Sequence, residues 1–93
     1  MKKIVMLALP GCPYCAKARK AIRELREEHP DCASIEVEEI EDESEAARPY
    51  QKDYYYVPSL FIEGKKCFEA QPGQDYDTIK QAVAEAFAAA KNG

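Results

Sequence analysis

Two cysteines stand three positions apart in the stretch Leu9-Pro10-Gly11-Cys12-Pro13-Tyr14-Cys15. On a helix that spacing puts both side chains on one face. One turn brings their α-carbons into the roughly 4.4–6.8 Å window that a disulfide needs. Such a pair can carry out thiol–disulfide exchange, in which a thiolate attacks a disulfide sulfur and a second thiol resolves the mixed disulfide. Cys12 is the candidate nucleophile and Cys15 the resolver. Pro13 suits the first helical position, where its missing N–H costs nothing and its fixed φ fits. Cys12 then caps the helix, and the free N–H groups and positive dipole end there favour an anion. C-x-x-C sites at helix starts lower the first thiol's pKa to roughly 3.5–7.5.

The same four residues can instead be half of a zinc site, with Cys32, Cys67 and His29 as the remaining ligands. Against zinc, the pair heads a long helical pattern rather than a tight hairpin turn, and no second short-spaced pair follows it.

The elements that must hold these thiols can be read along the chain. Ile4 to Leu9 is a continuous apolar run stopped by Pro10 and Gly11, which fits a strand buried on both faces. Pro13 to about His29 has helical period, with Cys15, Ala18, Ile22 and Leu25 on one stripe and Pro30 as the stop. Lys17, Arg19, Lys20, Arg23 and Arg26 form its solvated face, with Lys17 and Lys20 near enough to Cys12 to add positive potential. His29 reads as a surface residue at the helix end, and Cys32 as a small residue of the following loop. Ser34 to Ile40 alternates like a strand with one wet side. The acidic run that follows leads into a short helix over roughly 43–53, capped by Asp42 or Ser44 and kinked by Pro49.

Pro58 starts the next strand, which runs to Ile62 and turns at Glu63-Gly64 or Gly64-Lys65 into a partner, Lys66 to Ala70. Cys67 is expected to pack within that partner. The tyrosines at 54, 55 and 56 are expected to pack the second helix on the sheet, with wet phenol groups. After a loop with Pro72 and Gly73, Asp75 or Asp77 begins a last helix. Its stripe is Ile79, Ala82, Val83, Ala86, Phe87 and Ala90, and Asn92-Gly93 ends it.

With 93 residues, one domain spanning 1–93 is expected. A net charge of −4 argues against a nucleic-acid partner. No apolar run approaches the ~20 residues of a membrane span, and the apolar start is too short for a signal peptide. The spacing of the four cysteines is not that of a secreted disulfide framework, so a cytoplasmic location with reduced thiols is expected. The protein is expected to be a monomer.

The order β-α-β-α-β-β-α describes an α/β fold with a central four-stranded mixed sheet flanked by three helices. Here the chain resembles the glutaredoxins of the thioredoxin superfamily. Cys12-Pro13-Tyr14-Cys15 matches their active-site tetrapeptide, and Val57-Pro58 resembles their Thr-Val-Pro segment, with Tyr56 in place of threonine. The resemblance implies a cis Pro58, a Val57 backbone that pairs with an extended thiol substrate, and a groove lined by Pro13 and Tyr14. Gly73 and Asp75 stand for the family's Gly-Gly-x-Asp-Asp, which binds one end of glutathione. Leu9 stands where the family usually has a lysine.

The implied activity is reduction of protein or glutathione mixed disulfides without a tightly bound cofactor. Glutathione, a possible co-substrate, or a thioredoxin-type reductase would donate electrons in cell redox homeostasis. Two other classes fit the same residues: a metal or iron–sulfur cluster module, and a thioredoxin-fold interaction module with an idle dithiol.

Overall fold

A computed structural model describes residues 1–92. Strand β1 (Ile4–Ala8) is followed by helix α1 (Pro13–Glu28), a 3-10 segment (Pro30–Ser34), strand β2 (Val37–Glu41) and a second 3-10 segment (Glu45–Tyr50). Strands β3 (Ser59–Ile62) and β4 (Lys65–Glu69) and helix α2 (Tyr76–Lys91) complete the chain. The sheet order is β2-β1-β3-β4, with β1 parallel to β2 and antiparallel to β3, and β3 antiparallel to β4. This is the mixed sheet and element order of the thioredoxin fold.

The unbroken apolar run of β1 has a direct structural reason. Ile4, Met6 and Ala8 face one core with α1, α2 and Leu60, while Val5 and Leu7 face a second with Ile40, Ala47 and Phe61. A strand covered on both faces has no wet side, so its sequence does not alternate. Helix α1 buries Cys15, Ala18, Ala21, Ile22 and Leu25, and the His29 N–H closes its last turn on the Leu25 carbonyl at 2.8 Å. Helix α2 is capped by Asp75, whose side chain accepts the Thr78 N–H, and buries Ile79, Val83, Ala86, Phe87 and Ala90. Ala82, expected on that stripe, is only half-buried at its edge. Asn92 caps the end of α2, and Gly93 lies outside the described residues. Lys80 of α2 bridges to Glu24 and Glu28 of α1 at 3.2 and 2.9 Å, which ties the two helices together at their wet edge.

The expected strand from Ser34 begins only at Val37, because Pro30 starts a 3-10 turn that carries the chain to Ser34 and buries Cys32. The expected helix over 43–53 shrinks to the six-residue 3-10 segment. Pro49 supplies no N–H to continue an α-helical ladder. That segment covers the far face of the sheet together with Tyr50 and Tyr54, whose rings lie 4.9 and 6.2 Å from that of Phe61. The hairpin turns at Glu63-Gly64, both with positive φ (51° and 80°), a geometry glycine adopts without strain.

Cys67 is exposed rather than packed. Leu60 pairs with Phe68 and Phe61 with Lys66, so Cys67 is the extra residue of a β-bulge, outside the alternation that would have turned it inward.

Candidate active site

The two thiols differ in every respect that matters to exchange. Cys12 occupies the N-cap of α1 with extended backbone (φ −83°, ψ 122°), Pro13 follows at the first helical position, and the Cys12 side chain is half-buried. Its sulfur accepts the Cys15 N–H at 3.3 Å, so a helix-start donor that would otherwise be free points at the atom that must carry charge. Across the site, the Cys12 thiol donates to the Val57 carbonyl at 3.7 Å.

Cys15 lies one turn behind with no exposed surface, and its sulfur accepts the Leu9 N–H at 3.5 Å. Burial pushes the Cys15 thiol up to about 12. Its hydrogen bond to the Cys12 sulfur and the charge of that sulfur act in the same direction, while the Leu9 N–H and Arg19 oppose them. Cys15 is therefore held as a thiol.

The Val57–Pro58 peptide is cis. Pro58 is buried, whereas Val57 is half-buried and touches both cores. The β3 ladder begins at Ser59, so Val57 stands outside it with its backbone beside Cys12. Tyr14 packs on the core, and its hydroxyl accepts the Gly73 N–H at 2.7 Å, while the Lys17 ammonium sits 5.1 Å from the ring centre. Gly73 has φ 89°, the left-handed backbone that turns its N–H toward Tyr14. Asp75 is exposed at the α2 cap, where its bonds to Thr78 hold its carboxyl below the usual range, with a smaller contribution from Lys17. The structure thus brings Cys12 against both Cys15 and Val57. Tyr14 lies between the two cysteines on that first turn of α1 and is linked to the Gly73–Asp75 loop.

One residue of the site escaped the sequence reading. Arg19, grouped there with the solvated face, grips Glu39 of β2 through two bonds at 3.0 and 2.6 Å and donates to the Leu9 carbonyl at 3.2 Å. It clamps the residue whose N–H bonds the Cys15 sulfur, and its own charge is favoured chiefly by Glu39 and also by both cysteines. The only sequence trace of this was an arginine four positions after Cys15 on the helix. Lys20, expected near Cys12, instead covers the Tyr76 ring at 4.7 Å. Among the described residues, no group of three or more His, Cys, Asp and Glu side chains is gathered as a metal site; Cys32 and Cys67 lie on separate elements.

The family model for glutaredoxin matches residues 3–67, more than half of the chain, and takes in both thiols and the Val57-Pro58 segment. The chain belongs to the glutaredoxin family. As a glutaredoxin-family protein it is a thiol–disulfide oxidoreductase of the thioredoxin superfamily. It is 29% identical to a thioredoxin of Methanocaldococcus jannaschii over 85 residues, 91% of each chain. In fold, the glutaredoxin-like chain is similar to the periplasmic thioredoxin SoxS of Paracoccus pantotrophus, at a TM-score of 0.56 and 16% identity, covering 92% of this chain and 99% of that one. It is also similar to thioredoxin O2 of Arabidopsis thaliana in the oxidized state, at 0.59 and 19%, covering 94% of this chain and 76% of that one. Among the described residues, no helix is long and apolar enough to cross a membrane.

Proposed function

We propose that the protein reduces disulfides of proteins, or mixed disulfides with glutathione, through Cys12 and Cys15. Cys12 as thiolate attacks one sulfur of the substrate disulfide. The substrate S–S bond breaks, and the departing sulfur leaves as a thiolate that takes up a proton. Once Cys12 is bonded to substrate it no longer carries charge, so two of the influences holding Cys15 protonated vanish, its bond to the Cys12 sulfur and the repulsion from it. Burial remains, opposed by the Leu9 N–H and Arg19. Cys15 then gives up its proton and attacks the Cys12 sulfur, releasing the second substrate thiolate. The substrate has gained two electrons, and Cys12 and Cys15 are joined as a disulfide.

The observation that carries this reading is the position of the Cys12 sulfur, between the Cys15 N–H of the first turn of α1 and the Val57 carbonyl. A substrate strand laid along Val57 brings its sulfur to Cys12. Pro13 and Tyr14 line one side of that path, Pro58 its floor, and Asp75 with Gly73 its end. Glutathione, a co-substrate rather than a bound cofactor, or a thioredoxin-type reductase returns the dithiol, and the protein works as a cytoplasmic monomer in redox homeostasis.

Turnover of a protein disulfide and of a glutathione mixed disulfide by the wild type, Cys12→Ser and Cys15→Ser tests the roles. Cys12→Ser loses both activities, while Cys15→Ser keeps partial glutathione-linked activity and traps protein substrates as mixed disulfides. Full activity in Cys12→Ser contradicts the assignment. Recycling with glutathione and its reductase, against a thioredoxin reductase with NADPH, decides the donor.

A further inference from the structure

Among the described residues, three large apolar or aromatic side chains stand open to water: Met1, Tyr55 and Tyr56, at 69%, 84% and 41% exposure. Two of them are adjacent, with ring centres 5.0 Å apart at an interplanar angle of 64°. Their neighbours Tyr50 and Tyr54 pack on Phe61, so exposure is not the general state of this tyrosine-rich tract.

The backbone beneath the two open rings is tied down. One oxygen of the Glu69 carboxylate accepts the N–H of both Tyr55 and Tyr56, each at 2.7 Å, and Lys66 holds the other oxygen at 2.6 Å. The fully buried Ser59 donates its hydroxyl to the Tyr56 carbonyl at 2.6 Å. Lys66 first, and then the two tyrosine N–H groups, hold the Glu69 carboxyl below its usual range, so the anchor is charged at neutral pH. A pair of rings kept in water on a fixed backbone is organised for contact, because the ordering that binding demands has largely been done already.

Their position says what they contact. Tyr55 and Tyr56 precede Val57 directly, so the Tyr55 α-carbon is at most about 7.6 Å from that of Val57. The Val57 carbonyl is 3.7 Å from the Cys12 sulfur. A polypeptide whose sulfur reaches Cys12 by way of Val57 would have its adjoining residues within reach of the two rings. The geometry points to Tyr55 and Tyr56 as the docking platform for one kind of partner, an extended segment of a disulfide-bearing protein with an aromatic or large aliphatic side chain within about two residues of its half-cystine. This inference rests on the exchange reading above and adds the feature by which the protein chooses among disulfides.

The test uses pre-reduced protein in single turnover, which needs no electron donor. The substrates are two synthetic disulfide peptides differing only in phenylalanine or serine beside the half-cystine, and bis(2-hydroxyethyl) disulfide. The wild type is expected to react about five- to tenfold faster with the phenylalanine peptide below saturation. Tyr55→Ala reduces that preference to within about twofold, as does Glu69→Ala, which keeps both tyrosines but frees the backbone that holds them. Tyr55→Phe keeps it, and the small disulfide reacts equally with all four proteins. Equal rates for the two peptides in the wild type, or a preference that survives Tyr55→Ala, overturn the platform and leave the exchange reading standing. A wild type that reduces none of the three disulfides overturns both. A wild-type dimer that Tyr55→Ala dissociates assigns the rings to a second copy and also overturns the proposal.

Discussion

The Cys12 sulfur meets the Val57 carbonyl across 45 positions of sequence, at 3.7 Å. That contact joins the start of α1 to the segment ahead of β3, and it leaves Cys12 half-buried while Cys15, one turn on, has no surface. Iodoacetamide at neutral pH should therefore read the site directly. Cys12 takes the label first, and the exposed Cys67 follows more slowly because its environment holds its thiol above the usual range. Cys15 and Cys32, at 0% and 4% exposure, are labelled only on unfolding. Peptide mass mapping checks the order, and early label on Cys15 would mean that the resolver is not where the fold puts it.

The raised Cys15 thiol makes the reduced protein sensitive to alkali. In the folded dithiol form it keeps its proton to about pH 12, whereas in the unfolded chain an ordinary thiol loses it near 8.5. Between those limits the unfolded chain binds fewer protons, so stability falls as pH rises, by at most ~1.4 kcal/mol per pH unit. Tyr54, held high by burial and by its bond to Asp42, contributes in the same direction. Urea unfolding of reduced wild type and Cys15→Ala at pH 8, 9 and 10 isolates the cysteine: the wild type loses stability with pH more steeply than the variant. Parallel lines for the two proteins would remove the buried-thiol account.

Arg19 should govern the second chemical step. Its charge opposes burial at Cys15, and its bond to the Leu9 carbonyl fixes the residue whose N–H bonds the Cys15 sulfur. In Arg19→Gln, resolution of a preformed Cys12 mixed disulfide should slow by about three- to tenfold at pH 7, with its pH midpoint moving upward by roughly half a unit to one unit. Stopped-flow measurement of resolution against pH separates this from loosening, which would slow the step without moving the midpoint.

What could be read beforehand follows from the range of the interactions. The cap at Cys12, the buried stripe of α1 and the unbroken run of β1 are local patterns, and the structure keeps all three. Arg19 with Glu39, and Tyr14 with Gly73, are pairs 20 and 59 positions apart, and nothing in the types of those residues marks them as partners. The 3-10 segment at Glu45–Tyr50 was masked by an acidic, helix-like composition, although Pro49 warned of a break. Cys67 was misplaced because one extra residue in β4 reverses the side-chain alternation, and a bulge has no necessary signature in sequence.

Asp75 offers a test in which stability and recognition come apart. Its side chain already serves α2, accepting the Thr78 N–H at 2.9 Å, and its charge faces solvent beside Lys17 and the Tyr14–Gly73 contact. Losing the cap in Asp75→Ala should cost about 1 kcal/mol, within the roughly 0.5–2 kcal/mol seen for such caps. Asp75→Asn keeps a side-chain oxygen for Thr78 and removes the charge, so it should unfold at nearly the wild-type urea concentration. If Asp75 also holds the charged amino end of glutathione, Asp75→Asn raises KM for a glutathione mixed disulfide severalfold and leaves a protein disulfide unaffected. If both substrates respond alike, or neither does, Asp75 is a helix cap alone.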